Sequence, residues 1–246
     1  MQMIVLFTDF GSEGPYQGQM IASARKHGFK GDIVTLFADA PAFSVKYSAR
    51  LLEAYYQDFP ENSVFLCIID PGVGSSRKPL IIKSCNRWFV GPDNGLFEYL
   101  LRLDKKSKIY EISWVPEKLS ASFHGRDLFA PVAAELAQSQ TAKNLGRSVD
   151  PNRIVRTNWS DSIAEIIYID HYGNCMTGIA GDANIKELRF GDQVYPISRT
   201  FSDVAVGAPL VYVNANNLVE IAVNQGRADQ CLSLRTGATV KPIGLD

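Results

Sequence analysis

Residues 63–79 read SVFLCIIDPGVGSSRKP. The run up to Ile69 is almost unbroken apolar, the pattern of a strand buried on both faces, as in a parallel sheet. It ends on Asp70. Pro71 and Gly72 break the strand, and a glycine-rich turn then comes round to Arg77 and Lys78. An acid at the carboxyl end of a parallel strand is a site candidate, because ligands of open α/β sheets sit there, where strand order switches. The turn has two readings, a phosphate cradle or a device for holding a nucleophile. GVGSSRKP lacks the final residues of a P-loop, and Arg77 stands where the third glycine of a dinucleotide fingerprint belongs, so the phosphate reading loses ground.

Moving outward, MIVLFT (3–8) and DIVTLF (32–37) are further strands. Residues 15–28 open on Pro15 and close on Gly28, the usual punctuation of a helix. Tyr47, Leu51, Tyr55 and Phe59 recur every four residues and make one helical face. LIIKS (80–84) and RWFVG (87–91) are two more strands, joined near Asn86, and 94–103 and 126–139 read as helices. Strands alternating with helices predict an α/β N-terminal domain, residues 1–145, with a mostly parallel sheet covered by helices. Residues 146–160 are polar and turn-rich and read as a linker. From 161 to 246, short β-prone runs separated by turn residues predict a smaller all-β barrel domain.

The chain has 246 residues, 25 basic and 26 acidic, with a formal charge of −1. That balance argues against a nucleic-acid partner, which needs a basic face. No apolar run reaches the ~20 residues of a membrane span, and MQMIVLFTDFG lacks the basic flank and cleavage pattern of a signal peptide. Cys67, Cys85, Cys175 and Cys231 form no C-x-x-C pair and read as reduced thiols of a cytoplasmic protein. No metal site is expected.

Asp9 ends the first strand as Asp70 ends another, so the two carboxylates are candidates for one pocket. Each reads equally well as a cap of the turn that follows it. His124, in SFHGRDLF (122–129), precedes a helix start, where the positive helix end disfavours imidazolium and leaves a neutral ring able to take a proton; a purely hydrogen-bonding role is the other reading. Asp170 and Asn174, in IDHYGN, flank a tight turn, and an asparagine offers both donor and acceptor to a heterocycle edge.

In order, TDFG, IDPGVGSSR, GPDNGL (91–96), FHGRD, IDHYGN and VEIAVNQG (219–226) resemble the S-adenosyl-L-methionine (SAM) hydroxide adenosyltransferases, adenosine-forming SAM hydrolases related to the SAM-dependent fluorinase and chlorinase. The resemblance covers nearly the whole chain. It implies an α/β domain, a β-barrel, and a homotrimer with active sites between subunits. It also implies SAM as substrate, adenosine as product and no cofactor. Its water-orienting set falls on Asp70, Arg77 and His124. Asp9 matches the aspartate that takes both ribose hydroxyls, and Phe43 an aromatic residue lining the ribose pocket. Asp170 and Asn174 match contacts to the methionine amine and the adenine edge, and Val223 a contact to the nucleoside. Three positions depart from the pattern. Gly14 replaces an acid, and Ala215 and Asn216 replace a serine and its neighbour that grip the amino-acid end of SAM. A lost hydrogen bond there costs about 0.5–1.5 kcal/mol.

Two other functions fit these residues less well. A halogenase would set a halide against Asp70, and two like charges ~4 Å apart at an effective dielectric near 20 repel by about 4 kcal/mol. A non-catalytic SAM- or adenosine-binding module has no need of a water-holding trio, and would bind SAM without releasing methionine.

Overall fold

The computed structural model describes residues 2–244, which divide into two compact units, the first ending at Asn158 and the second starting at Trp159. The first is built on a seven-stranded sheet of order β2-β1-β3-β5-β4-β6-β7. Its strands are β1 (Met3–Thr8), β2 (Asp32–Phe37), β3 (Val64–Ile68), β4 (Pro79–Ser84), β5 (Arg87–Pro92), β6 (Lys108–Ile112) and β7 (Gly146–Ser148). The β2-β1-β3-β5 half is parallel. The β5-β4-β6-β7 half is antiparallel.

Alternation along β1 explains the two layers. Ile4 and Leu6 join the core under α1 (Tyr16–Lys26) and α4 (Ala130–Ser139). Val5 and Phe7 are equally buried and point to the opposite face, as period two requires. There Phe7 meets Phe37, and Phe65 stacks on Phe89 with ring centres 5.0 Å apart. Helices α2 (Val45–Tyr55) and α3 (Glu98–Leu103) pack on each other, and Tyr55 and Tyr56, at the end of α2, reach Phe37 and Phe89.

The antiparallel half begins with a hairpin. Cys85 and Asn86 both have positive φ, 48° and 60°, the geometry of a two-residue turn that matches strand twist. The structure differs from the sequence expectation at 146–160. Gly146–Ser148 are not linker but the edge strand β7, bonded to β6, and residues 154–157 are tied down to the first unit. Val155 N–H donates to Asp93 (2.8 Å), while Arg156 and the Thr157 N–H donate to Glu98.

The second unit has a four-stranded sheet, β12-β13-β9-β8, and a three-stranded one, β11-β10-β14. These comprise β8 (Ile163–Ile169), β9 (Cys175–Ala180), β10 (Glu187–Phe190), β11 (Gln193–Pro196), β12 (Pro209–Val213), β13 (Leu218–Val223) and β14 (Lys241–Ile243). Two bridges join the sheets at both margins, Glu165 to Thr239 and Ile197 to Val211. The ring therefore closes into a barrel, filled by Ile166, Leu188, Val211, Val219 and Ile221. Helix α5 (Ala228–Cys231) follows β13.

Candidate active site

Strand β1 runs beside β3 with Thr8 opposite Ile68. From β1 the chain crosses to β2 on one side and returns to β3 on the other, so strand order switches between β1 and β3. Asp9 leaves the first of these strands and Asp70 the second. A cavity of about 350 Å³ opens beyond them, lined by Asp9, Phe10, Tyr16, Phe43, Ile68, Asp70, Val73 and residues 122–125, including His124. A larger groove, about 830 Å³, runs between α1 and residues 114–118. It holds none of the predicted site residues.

Arg77 stands behind the cavity wall. Its Nε lies 3.0 Å from both Asp70 oxygens and its Nη2 2.5 Å from Oδ2. The two side chains are only 5 % and 9 % exposed. A buried ion pair is poor value for stability, because desolvation offsets most of the attraction; its place at a cavity is better explained by chemistry. The guanidinium also packs over the Phe129 ring, 5.1 Å from its centre.

The same Nη2 donates to His124 Nδ1 at 2.9 Å. Guanidinium has donors only, so Nδ1 must be the bare nitrogen and Nε2 must carry the proton. Burial and then the Arg77 charge push the His124 pKa down, against weaker pulls from Asp70 and Asp127. His124 enters a widened helical turn, Gly125–Phe129, that runs into α4. Such turns recur at functional sites. Gly74 lets the two loops meet. It sits at φ +80°, and a Cβ there would come within 2.6 Å of the Ala121 carbonyl, so only glycine allows this approach.

Asp9 accepts the Phe43 N–H at 2.9 Å. Burial raises its pKa, two N–H bonds oppose this, and the charge of Asp70 adds to the rise. Phe43 has φ +59° and its side chain is exposed, an uncommon state for a bulky residue. Sequence reasoning passed over Phe10, Tyr16 and Phe123, which line the cavity with ring centres 5.5–6.0 Å apart, Phe123 edge-on to both Phe10 and Tyr16 and those two tilted against each other. For Phe10 and Phe123 the signal was their place in TDFG and FHGRD, beside the acid and the imidazole; Tyr16 lies in neither motif.

In the second unit, Asp170 accepts the Asn174 N–H (2.9 Å) and side-chain amide (3.2 Å). Ala215 and Asn216 occupy a turn caged by Asn214, whose Oδ1 accepts the Asn216 and Leu218 N–H groups. Buried Glu220 holds Asn214 in turn (2.8 Å) and accepts the Tyr212 hydroxyl (2.5 Å). The Val223 side chain is directed into the barrel core, and its carbonyl accepts the Gly226 N–H at 3.1 Å. Gly14 lies exposed at φ +104°. Among the described residues, no group of three or more His, Cys, Asp or Glu side chains is placed to hold a metal ion.

Residues 4–146 match the SAM hydroxide adenosyltransferase N-terminal domain, and residues 164–241 match its C-terminal domain. A curated (R)-S-adenosyl-L-methionine hydrolase from Thermus thermophilus is 31 % identical over 98 % of this chain and 99 % of its own. A fluorinase from Actinopolyspora mzabensis is 25 % identical over 81 % and 83 %. Among solved structures, an uncharacterized conserved protein from Thermotoga maritima superposes with TM-score 0.86 at 29 % identity, covering 97 % of this chain and 98 % of that one. With both domain models matched in order, and the Asp70–Arg77–His124 set assembled in space, the chain belongs to the SAM hydroxide adenosyltransferase family.

Proposed function

We propose that this protein hydrolyses SAM to adenosine and L-methionine, with Asp70, Arg77 and His124 holding the attacking water. The observation that carries this reading is the hydrogen-bonded chain from Asp70 through Arg77 to His124 at the wall of the cavity that Asp9 also lines. The water oxygen bonds to ribose C5′ while the C5′–S pair leaves with sulfur. A cationic sulfonium becomes a neutral thioether, so the leaving group needs no general acid. One proton must leave the water. His124 Nδ1 is already an acceptor for Arg77, which makes Asp70 the proton acceptor, through a lone pair that Arg77 does not use. The Nε2–H of His124 donates to the oxygen and stabilises the developing hydroxide, as Arg77 does from behind. The aromatic wall of Phe10, Tyr16 and Phe123 suits a cationic electrophile that has shed its water.

Asp9 takes the ribose hydroxyls in this scheme, beside Phe43. Asp170, Asn174, Ala215, Asn216 and Val223 serve the methionine and adenine ends. These belong to a neighbouring copy in a homotrimer, the assembly implied by the family resemblance. We also infer a cytoplasmic setting, since none of the four cysteines lies in a disulfide. The Thermus relative carries the R sulfonium configuration in its name, and we extend that preference to this chain. The test is turnover of the separated sulfonium epimers in ¹⁸O-water. Methionine release with label in the adenosine 5′-hydroxyl, faster for the R epimer, is expected. Unlabelled adenosine, or tight binding without methionine release, would refute hydrolysis at C5′.

A further inference from the structure

The segment GPDNGL (91–96) is untouched by the mechanism above, yet it lies under the turn that carries Asp70 and Arg77. Strand β5 sits between β3 and β4, so residues 69–78 must arch over its end. The feet of the arch stand two strand spacings apart, roughly 10 Å. Backbone donors find few partners within the arch: Val73 N–H to the Asp70 carbonyl, Ser75 N–H to the Gly72 carbonyl and Arg77 N–H to the Ser75 hydroxyl, at 3.0–3.3 Å, beside the Asp70–Arg77 ion pair that spans it.

The loop after β5 grips both feet. Asn94 Nδ2 donates to the Ile69 carbonyl at 2.8 Å, one residue before Asp70. The Asp93 N–H donates to the Lys78 carbonyl at 2.8 Å, one residue after Arg77. Asn94 Oδ1 accepts the Leu96 N–H at 3.2 Å, which fixes the amide so that its nitrogen faces Ile69. Gly91 brings β5 close enough, since a Cβ there would lie 2.3 Å from the Cys67 carbonyl.

We infer that Asn94 is a positioning residue for hydrolysis, clamping the foot of the arch so that Asp70 and Arg77 meet each other and His124 in one geometry. The inference rests on the reading of those three residues as the water-holding set. An acid displaced by even 1 Å loses much of its effect on a bound nucleophile. Asn94 touches neither the cavity nor the reacting atoms, so its effect must pass through the Ile69 carbonyl.

Two variants test this. Asn94→Asp keeps the size and the acceptor for Leu96 but removes the donor to Ile69; Asn94→Ala removes both. We expect kcat to fall about ten- to a hundredfold in each, with KM for SAM nearly unchanged and Asn94→Asp still melting near wild type. The second readout is ¹⁵N spectra of the imidazoles, resolvable because the chain has three histidines. Wild-type His124 should show the Nε2–H tautomer. In the variants, a slack arch lets Arg77 leave Nδ1, so tautomers mix and the titration rises; Asp70 and Asp127, the other charges facing the ring, are retained. Wild-type kcat, or a loss of activity that tracks melting temperature while the His124 spectrum stays unchanged, overturns the clamp. If the wild-type protein leaves SAM intact, the proposed function fails, and the spectra still decide the clamp on their own.

Discussion

His124 has two ring nitrogens with opposite duties. Nδ1 accepts from Arg77, so in the proposed mechanism the ring donates through Nε2 while Nδ1 stays bare. Protonating it would set imidazolium against guanidinium. The acid limb of kcat/KM should therefore fall below the ordinary imidazole value of about 6.5, because burial and Arg77 depress this group. A limb above that value would contradict the assignment. The same shift bears on folding. Between the depressed folded value and the ordinary unfolded one, the unfolded chain binds more protons, so stability drops as pH falls across that window. Asp70→Asn and His124→Ala should each cut turnover about 10²-fold or more, measured by adenosine release; near-normal rates in both would remove the proposed roles. Position alone made Asp70 and His124 candidates, one at a strand end and one at a helix entry, and left each a purely structural reading beside the functional one. Their convergence with Arg77 rested on the resemblance. The tautomer was invisible, since it depends on which nitrogen meets a residue 47 positions away.

At the scale of elements, the sequence signals that succeeded were the apolar strands and the Pro15 and Gly28 punctuation. The join near Asn86 was legible too, although Cys85-Asn86 turns its hairpin without the glycine that usually advertises one. Where the reading failed, backbone context overrode residue type. Gly146–Ser148 pair as a strand because Tyr110–Ile112 offer an edge, not because they are β-prone. The tie after β7 was equally hidden. Glu98 gathers Arg156, Arg102 and the Thr157 N–H. Burial pushes this carboxyl up, but those partners prevail and hold it at about 2. Its contribution to stability is present above the unfolded carboxyl value and fades as pH drops towards 2. Glu98→Gln should lower unfolding free energy at pH 7 by about 1.5–3 kcal/mol in urea titrations. The gap between variant and wild type should narrow in acid. A constant gap from pH 7 to pH 3 would show that the charge is not the source.

On the scale of the molecule, each unit holds part of the predicted site. The switch-point cavity belongs to the first, and the Asp170–Asn174 turn with the caged 214–218 turn to the second. Gathering them in a trimer predicts a native mass about three times the 27.2 kDa of one chain, read by light scattering or native mass spectrometry. A monomer that turns over SAM at full rate would defeat the shared-site scheme.

The closed ring of the second unit has a further consequence, for amide exchange. An open sheet frays from its outermost strand inward. Here the seams are stitched by Ile166 N–H to Ala238, Val240 N–H to Ala164 and Ser198 N–H to Val211, at 2.7–3.0 Å. Deuterium should therefore enter these three amides as slowly as it enters the middle of β13, and all should yield together when the ring opens. Early labelling at Ile166 or Ser198 would mean the stitches are loose and that the ring breathes along one side.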